Sequence, residues 1–575
     1  MSEAAESQTA MKPGIMQVLR AMGQVKTFYM GIFGFSSGLP FALFLGTLYA
    51  WLTEAEVDLE TMGVFSLIGL AYAFQFIWSP LIDKLNIPGF KRLGKRKQWM
   101  VPAQLLLGAI LLMMSVLDPK TQLGWFSLLA GIGAFASASQ DIAINAWRID
   151  NADEKATLDI LSTVYQMGYR LAALVGGAFG LIIAERIGWP ETYMAMGAIL
   201  LTIGTVGLFA PDNPASKANA SDTVEPEIAA LRMAGELRPE LRAKVLAVVG
   251  LLWTVSIGVI LAFMVMSMTY APEDRPNPTL FTATFGPWII VATVVVPALI
   301  AGWLAGQKRN GVNLLTEEAA PGAAGGYVMD HLYRALVLPL VEFVGRMGWS
   351  LVLILALVLT YRICDAIWGT FAYPFYLGEL EYTKDEVAFA SKFFGVGAII
   401  AGLAIGGFML TVMGRMLTLT LGALMAALTN LLYADLAVGG ANMQAVSDAV
   451  GFTWLIMQVP VIGSASLAKL TFTIMFENLA IGIAGAAYIA WLSSIVSKEF
   501  SAVQYALLSS LTLLVGTLGR GALGEMIEDQ GYFDVFVLTT FIGLFAVVLC
   551  VAEWYRQSRA GRSSGVVTPQ AAPAE

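Results

Sequence analysis

The chain has 575 residues, 57% of them hydrophobic and only 13% charged, with a mean hydropathy of +0.70. A soluble domain carries about twice that charged fraction, so the composition excludes an ordinary globular protein. Apolar runs of about twenty residues recur along the chain, each long enough to cross a hydrocarbon core. Because they are continuous rather than alternating, a β-barrel is excluded too.

The formal net charge of −8 says little, since in a membrane protein the placement of charge matters more than its sum. Both cysteines, Cys364 and Cys550, fall in apolar runs, so neither a disulfide framework nor a metal cluster is expected. The single histidine, His331, lies in a polar linker and reads as solvated. The first ten residues are polar and no cleavage site follows, so no removable signal peptide is expected.

In chain order, apolar spans fall at roughly 27–52, 61–83, 98–118, 122–147, 157–184 and 191–210. After the polar stretch PDNPASKANASDTVEPE, two more fall at roughly 244–270 and 279–306. Six follow at roughly 350–377, 386–411, 415–437, 467–496, 501–524 and 533–555, giving about fourteen in a 6 + 2 + 6 order. With the N-terminus on the cytoplasmic side, about twenty-five Lys and Arg collect there, including those of DKLNIPGFKRLGKRK. About four, Lys120, Arg186, Arg275 and Lys384, collect opposite. Both termini are therefore expected to be cytoplasmic. An even number of inserted spans leaves the second six oriented like the first.

The expected organisation is a tail at 1–24, a six-helix bundle at 25–212 and a linker region at 213–349. A second bundle at 350–556 and a tail at 557–575 complete it. The linker carries the two extra spans and an interfacial helix in DHLYRALVLPLVEFVGRMGW. Two six-helix bundles in one orientation, joined by a long cytoplasmic linker, are the plan of an all-α major-facilitator transporter that rocks about a central site. A membrane enzyme usually clusters His, Asp or Glu for metal or acid–base work. The chain has no His cluster, so no catalytic or metal-binding residue is assigned.

Ionisable groups inside spans cost at least about 2.5 kcal/mol each and mark cavities or pathways. Span 4 runs through LGWFSLLAGIGAFASASQDIAINAWRID. Helical spacing stacks Ser137, Asp141, Asn145 and Arg148 on one face, with Gln140 beside them. Asp141 reads either as a salt-bridge partner of Arg148 or of a neighbouring helix, or as a protonatable carboxylate that couples transport to proton flow. In span 5, STVYQMGYR puts Thr163, Gln166 and Arg170 on one face near Tyr165 and Tyr169. Arg170 cannot discharge and needs an anion. In span 7, Arg362 and Asp365 stand at i and i+3 and could simply pair. In span 10, Lys469, Thr473 and Glu477 share a face, with Asn478 beside them, and Glu477 is the second candidate for titration. Lys392, near the end of span 8, reads as snorkelling.

The proton-coupling set is thus Asp141, Glu477 and Asp365. The substrate-binding set is Gln140, Asn145, Gln166, Tyr165, Tyr169, Arg170, Arg362, Asn478 and Tyr72. Arginines suit carboxylates, amides suit hydroxyls and aromatic faces suit sugar rings, so a polar, anionic, partly sugar-like solute fits. Glycine-rich stretches such as GFSSGLPFALFLGTLYAW and GIAGAAYIA read as close helix packing.

The blocks GFSSGLPFALFLGTLYAWLT, IWSPLIDKL, SASQDIAINAW, QMGYRLA, FENLAIGIAGAA and KEFSAVQYALLSSL resemble those of AmpG-type muropeptide permeases, a branch of the major facilitator superfamily. They cover most of 30–210 and 350–525. The resemblance implies import of N-acetylglucosaminyl-1,6-anhydro-N-acetylmuramyl peptides from periplasm to cytoplasm. It implies drive by the proton gradient without another cofactor, in the inner membrane of a Gram-negative bacterium. It places the activity in peptidoglycan recycling and the supply of β-lactamase inducers. It also implies a cytoplasmic latch of Asp83, Arg92 and Arg96, although Ser79 stands where the general motif often has Gly. In this family extra spans would be expected after the twelfth, whereas here two lie between the halves. The partners expected are the muropeptide, protons and lipid, with no nucleic acid, and the chain is expected to be a monomer. The alternatives are a carrier of the same fold for acetyl-CoA or a peptide, and a non-transporting membrane enzyme or sensor.

Overall fold

In lipid an open chain can satisfy its backbone only as a helix, and the described residues form helices and turns without a strand. The computed structural model describes residues 20–57, 69, 71–72, 74–211, 239–270, 274, 276, 278–309, 337–363, 371–372 and 374–563. Among these, nine helices are long and apolar enough to cross a membrane, or ten if one bent pair forms a single span. Residues 61–68, 70 and 73 of the expected span at 61–83 lie outside the described residues, and so do His331, Cys364 and Asp365.

The helices group into two compact units, Met1–Gly348 with Leu492–Gly519, and Trp349–Trp491 with Arg520–Glu575. Leu492–Gly519, which chain order assigns to the second set of spans, groups with the first unit.

In the first unit α1 (Val25–Ala42) passes through a π-helical turn, Leu43–Thr47, into α2 (Leu48–Glu54). A short α3 (Ser79–Lys84) leads to α4 (Lys97–Ser115), α5 (Leu123–Asn151) and α6 (Leu158–Leu174). Then come α7 (Gly180–Ile187) and α8 (Trp189–Gly207). α1 lies along α6, and α4 lies against α5 and α8. A Cβ added at Gly168 of α6 would sit 2.2 Å from the carbonyl oxygen of Gly31, and one at Gly34 of α1 would sit 2.2 Å from that of Tyr165. Only glycine permits this backbone contact, and it sets the positions of the α1 and α6 side chains that face α5. Away from it the core is aromatic, with Trp51, Phe126 and Tyr193 packed together.

The inserted pair comprises α9 (Pro239–Thr269), then α10 (Pro278–Ile290) continuing through a π turn into α11 (Val296–Arg309). It has a separate core in which Val245, Val249, Trp253 and Leu304 pack on Val337, Leu338 and Phe500. The described part of the expected interfacial stretch forms α12 (Leu338–Met347), and α13 (Ser350–Thr360) follows it in the chain.

The second unit holds α13, then α14 (Lys384–Ala388) leading through a π-helical segment into α15 (Val396–Met413), and α16 (Arg415–Ala437). The short α17 (Ala441–Ala449) and α18 (Phe452–Met457) precede the long α19 (Ala465–Ile495). The last helix, α20 (Ser501–Ser563), kinks at Gly531. The end of α19 from Leu492 and the start of α20 as far as Gly519 are the parts that belong to the first unit.

Candidate functional site

Asp141 stands in the middle of the α5 span and is partly buried. Its Oδ1 accepts hydrogen bonds from Ser37 Oγ of α1 at 2.5 Å and from Tyr165 OH of α6 at 2.7 Å. The two hydroxyls are 3.0 Å apart. The glycine contact between α1 and α6 brings both donors to one carboxylate oxygen. Arg148 makes no ion pair with Asp141. Asn145 donates to the Asp141 backbone carbonyl at 2.8 Å. One turn before Asp141, Ser137 accepts from Tyr72 OH at 2.8 Å. Tyr169 lies beside Tyr165 with ring centroids 6.3 Å apart, and Phe41 touches both Tyr72 and Tyr169.

Asp141, Tyr165, Asn145, Tyr72 and Tyr169 are therefore brought together, in the first unit. Gln140 is not among them: it is fully buried, and its Nε2 donates to the Ser36 carbonyl at 2.6 Å across the α1–α5 contact. Gln166 is buried on α6, and Arg170, partly buried, follows one turn later.

Nine residues beyond Asp141, a second carboxylate on α5 has a different environment. Arg96, 1% exposed, donates Nε to Asp150 at 2.7 Å, Nη1 to Asp83 at 2.6 Å and Nη2 to Ser501 at 2.8 Å. Ser501 in turn donates to Asp150 at 2.9 Å, and the Val503 N–H at the start of α20 donates to Asp83 at 2.9 Å. An acid at a helix N-terminus is favoured by the dipole and the free N–H groups. Burial alone would lower the proton affinity of Arg96, but the carboxylates of Asp150 and Asp83 outweigh it and raise its pKa. Of the expected latch, Asp83 and Arg96 meet. Arg92 is exposed and lies outside the cluster, and Lys95 stands in its place with Nζ 3.8 Å from Asp83. Next to this cluster Gln504 ties α20 to α12, donating to Pro339 O at 2.9 Å and to Glu342 at 2.7 Å.

In the second unit Glu477 of α19 accepts from Tyr433 OH of α16, and Tyr433 and Tyr376 share a hydrogen bond of 2.8 Å. Tyr433 stacks on Phe536 within an aromatic core that includes Phe375. Asn478 donates to its own helix, at Ile474 O, at 2.8 Å. Lys469 turns to the Gly439 carbonyl at 2.7 Å. Arg362 is partly buried at the end of α13. The partner expected for it, Asp365, lies outside the described residues.

The residues missed by sequence reasoning are Ser37, Tyr376, Tyr433, Asp150 and Ser501. Each is a hydroxyl in an apolar run or a charge near a span end, which alone looks like packing or solvation.

A family model described as Major Facilitator Superfamily matches residues 27–364. The anhydromuropeptide permease of Escherichia coli (strain K12) is 28% identical over 541 residues, covering 93% of this chain and 81% of that protein. A putative transporter of Rickettsia conorii, AmpG 4, is 24% identical over 536 residues, covering 93% of this chain and 98% of that protein. The resemblance carried by the sequence blocks thus extends along nearly the whole chain. Among solved structures, the proton:xylose symporter XylE bound to 6-bromo-6-deoxy-D-glucose matches at a TM-score of 0.50 and 10% identity, over 93% of this chain and 95% of that one. That likeness shows the fold alone.

Proposed function

The chain belongs to the Major Facilitator Superfamily, and on that premise we propose that it imports anhydromuropeptides from periplasm to cytoplasm, driven by the proton gradient. It is a multi-pass membrane transporter of a small molecule, not an enzyme. The cargo is supported by the relatives, one of which is named for anhydromuropeptide. The orientation, with both termini cytoplasmic in the inner membrane, is supported by the distribution of Lys and Arg. The working species is a monomer whose only energy source is the proton gradient, and the imported peptides feed cell-wall recycling.

The observation that carries the coupling is the setting of Asp141. It lies inside a helix of bilayer length, and its oxygen is held by the hydroxyls of Ser37 and Tyr165 rather than by a cation. A hydroxyl donates or accepts equally well, so this pocket accommodates both the carboxylate and the carboxylic acid. Asp141 is therefore the group that loads and releases the proton, and Glu477, held by Tyr433, is the second. Arg170, Gln166, Tyr169, Tyr72 and Asn145 receive substrate in the first unit, with Arg362 and Asn478 in the second. The guanidinium groups suit the lactyl and peptide carboxylates, and the phenols suit the sugar. The cluster of Asp83, Arg96 and Asp150 on Ser501 and Val503 is the latch that alternates with opening.

The test is uptake of labelled anhydromuropeptide into proteoliposomes under an inward proton gradient, for the native protein and for Asp141→Asn. The native protein should accumulate substrate above equilibrium. The variant should lose accumulation yet still exchange substrate across the bilayer. Normal accumulation by the variant would remove Asp141 from coupling and pass the role to Glu477. If the native protein moves no muropeptide, the cargo is wrong, and acetyl-CoA and peptides become the solutes to try.

A further inference from the structure

Arg148 has no exposed surface, and no carboxylate lies within 4 Å of its guanidinium among the described residues. Its Nη2 donates to Ser493 Oγ at 2.9 Å, while Nε and Nη1 are buried without a hydrogen-bond partner. The guanidinium is held between two phenol rings, 4.9 Å from the centroid of Tyr165 and 5.1 Å from that of Tyr505. Ser493 and Tyr505 belong to the ends of α19 and α20 that flank the latch. Tyr165 is the residue whose hydroxyl binds Asp141. One ring therefore touches both the interior carboxylate and the buried cation.

A buried cation with unmade hydrogen bonds is costly, and cation–π contacts offset only part of that. The charged and titratable groups facing Arg148 are few. On its own helix they are Asp141, two turns back, and Asp150, which is engaged by Arg96 and Ser501. From α6 the group is Tyr165, and from α20 it is Tyr505. The end of α19 contributes Ser493, which does not titrate. Asp83 is engaged by Arg96. Lys498 and Glu499, within the 492–505 segment, are exposed, and of the two carboxylates on α5 near Arg148, Asp141 is the one not engaged by Arg96. Seven residues of helix separate Asp141 from Arg148 by ~10 Å along the axis. At an effective dielectric of about 20 the attraction is worth on the order of tenfold in an equilibrium.

We propose that Arg148 is the positioning residue that makes closure of the 492–505 segment conditional on the charge of Asp141. With Asp141 ionised, the cation is compensated and stays seated between the rings and on Ser493. With Asp141 protonated, the cation is left uncompensated, and the segment departs so that water reaches it. Proton loading then favours opening at the latch end of α5. This inference rests on the reading of Asp141 as the proton site.

The test needs no substrate. In a background with Cys364→Ala and Cys550→Ala, Ala502→Cys places a thiol at a fully buried position of the segment. Its labelling by a membrane-impermeant maleimide is followed in proteoliposomes. Adding Asp141→Asn should raise the labelling rate by on the order of tenfold, and acidification should do the same when Asp141 is present. With Arg148→Gln or Arg148→Met, Asp141→Asn should change labelling by less than about twofold, and the response to pH should vanish. Two charge-removing variants are used so that poor reconstitution of one leaves the test intact. Arg148→Lys should keep the dependence, because it keeps the charge. An equal effect of Asp141→Asn with and without Arg148, or loss of the dependence in Arg148→Lys, would overturn the proposal. Failure of muropeptide uptake with the labelling pattern intact would retire the cargo and leave this inference standing.

Discussion

Asp141 and Asp150 sit nine residues apart on one helix, about 13 Å along its axis, yet their side chains meet partners of opposite kinds. Asp150 faces Arg96, a cation that never discharges, and the pair is shared with Asp83, Ser501 and the start of α20. That network ties α5 to α3 and to the start of α20. Asp141 Oδ1 accepts from the hydroxyls of Ser37 and Tyr165 and has no cation within ion-pair distance among the described residues. On the proposed reading, the partner, more than depth in the membrane, separates the acid that switches from the acid that clamps. Glu477 in the second unit, bound by Tyr433, repeats the hydroxyl-held type on a different helix.

The largest effect should come from removing the clamp. Arg96→Ala leaves Asp83 and Asp150 without their buried cation, and a broken buried pair costs about 3–5 kcal/mol. Thermal unfolding of the detergent-solubilised protein should show it. Arg96→Lys should recover only part, because one ammonium cannot span three acceptors as the guanidinium does. Native-like melting of Arg96→Ala would break the comparison, since the arginine-held acids would then need no arginine.

Gly168→Leu should come next. Its Cβ would lie 2.2 Å from the Gly31 carbonyl, so α1 and α6 must separate, at about 1–3 kcal/mol for an overpacked contact. Ser37 and Tyr165 ride on those two helices, so the Asp141 site should be lost and accumulation should fall by more than about tenfold. The hydrogen bonds of Arg96 run to Asp83, Asp150 and Ser501, on α3, α5 and α20, so the segment around Ser501 should stay protected in labelling. Loss of both together would show that the two regions are not separable.

Smaller still are the phenol deletions. Tyr165→Phe removes one of two donors to Asp141 and leaves Ser37 in place. Tyr433→Phe breaks the Tyr376–Tyr433–Glu477 chain. Each should cost about 1 kcal/mol, which uptake kinetics would read as about a fivefold loss in kcat/KM. Tyr165→Phe keeps the ring against Arg148, so its labelling pattern should be retained.

The sequence made Asp141 conspicuous because a charge in an apolar run has few explanations. The helical period correctly stacked Ser137, Asp141 and Asn145 on one face. Asp83 and Arg96 were legible through a motif whose residues lie close together in the chain. Ser37 was not, since a serine in GFSSGLP reads as helix packing until α6 is seen against α1. Tyr433 and Tyr376 were hidden as ordinary aromatics. Gln140 faces α1 rather than the cluster because the next residue around a helix turns by about 100°. Arg92 was read into the latch from its place in the basic run, but the chain turns at Gly94, with φ +91°, and Lys95 is the residue that lies 3.8 Å from Asp83. The bond from Ser501 to Asp150 joins residues 351 positions apart, and no local pattern encodes such a contact.

Just past the end of α5, Asp153 supplies the mildest case and the smallest effect. It is exposed, with Lys26 Nζ 2.7 Å away. Partial burial pushes its carboxyl up. The hydrogen bonds from Lys26 and from the Ala156 and Lys155 N–H groups outweigh that and hold it below the usual carboxylate range. A depressed folded-state pKa means that the stabilisation is present above the unfolded value, near pH 4. It is lost as pH falls through the folded value. Lys26→Ala should therefore cost about 0.2–1 kcal/mol at neutral pH, as solvent-screened pairs do. The difference from the native protein should shrink towards zero on acidification, and also in high salt. Melting curves at pH 7 and at acid pH, with and without salt, would measure it. Were Lys26→Ala as damaging as Arg96→Ala, burial would not be what separates the clamp from an exposed ion pair, and the ranking of the three α5-linked acids would collapse.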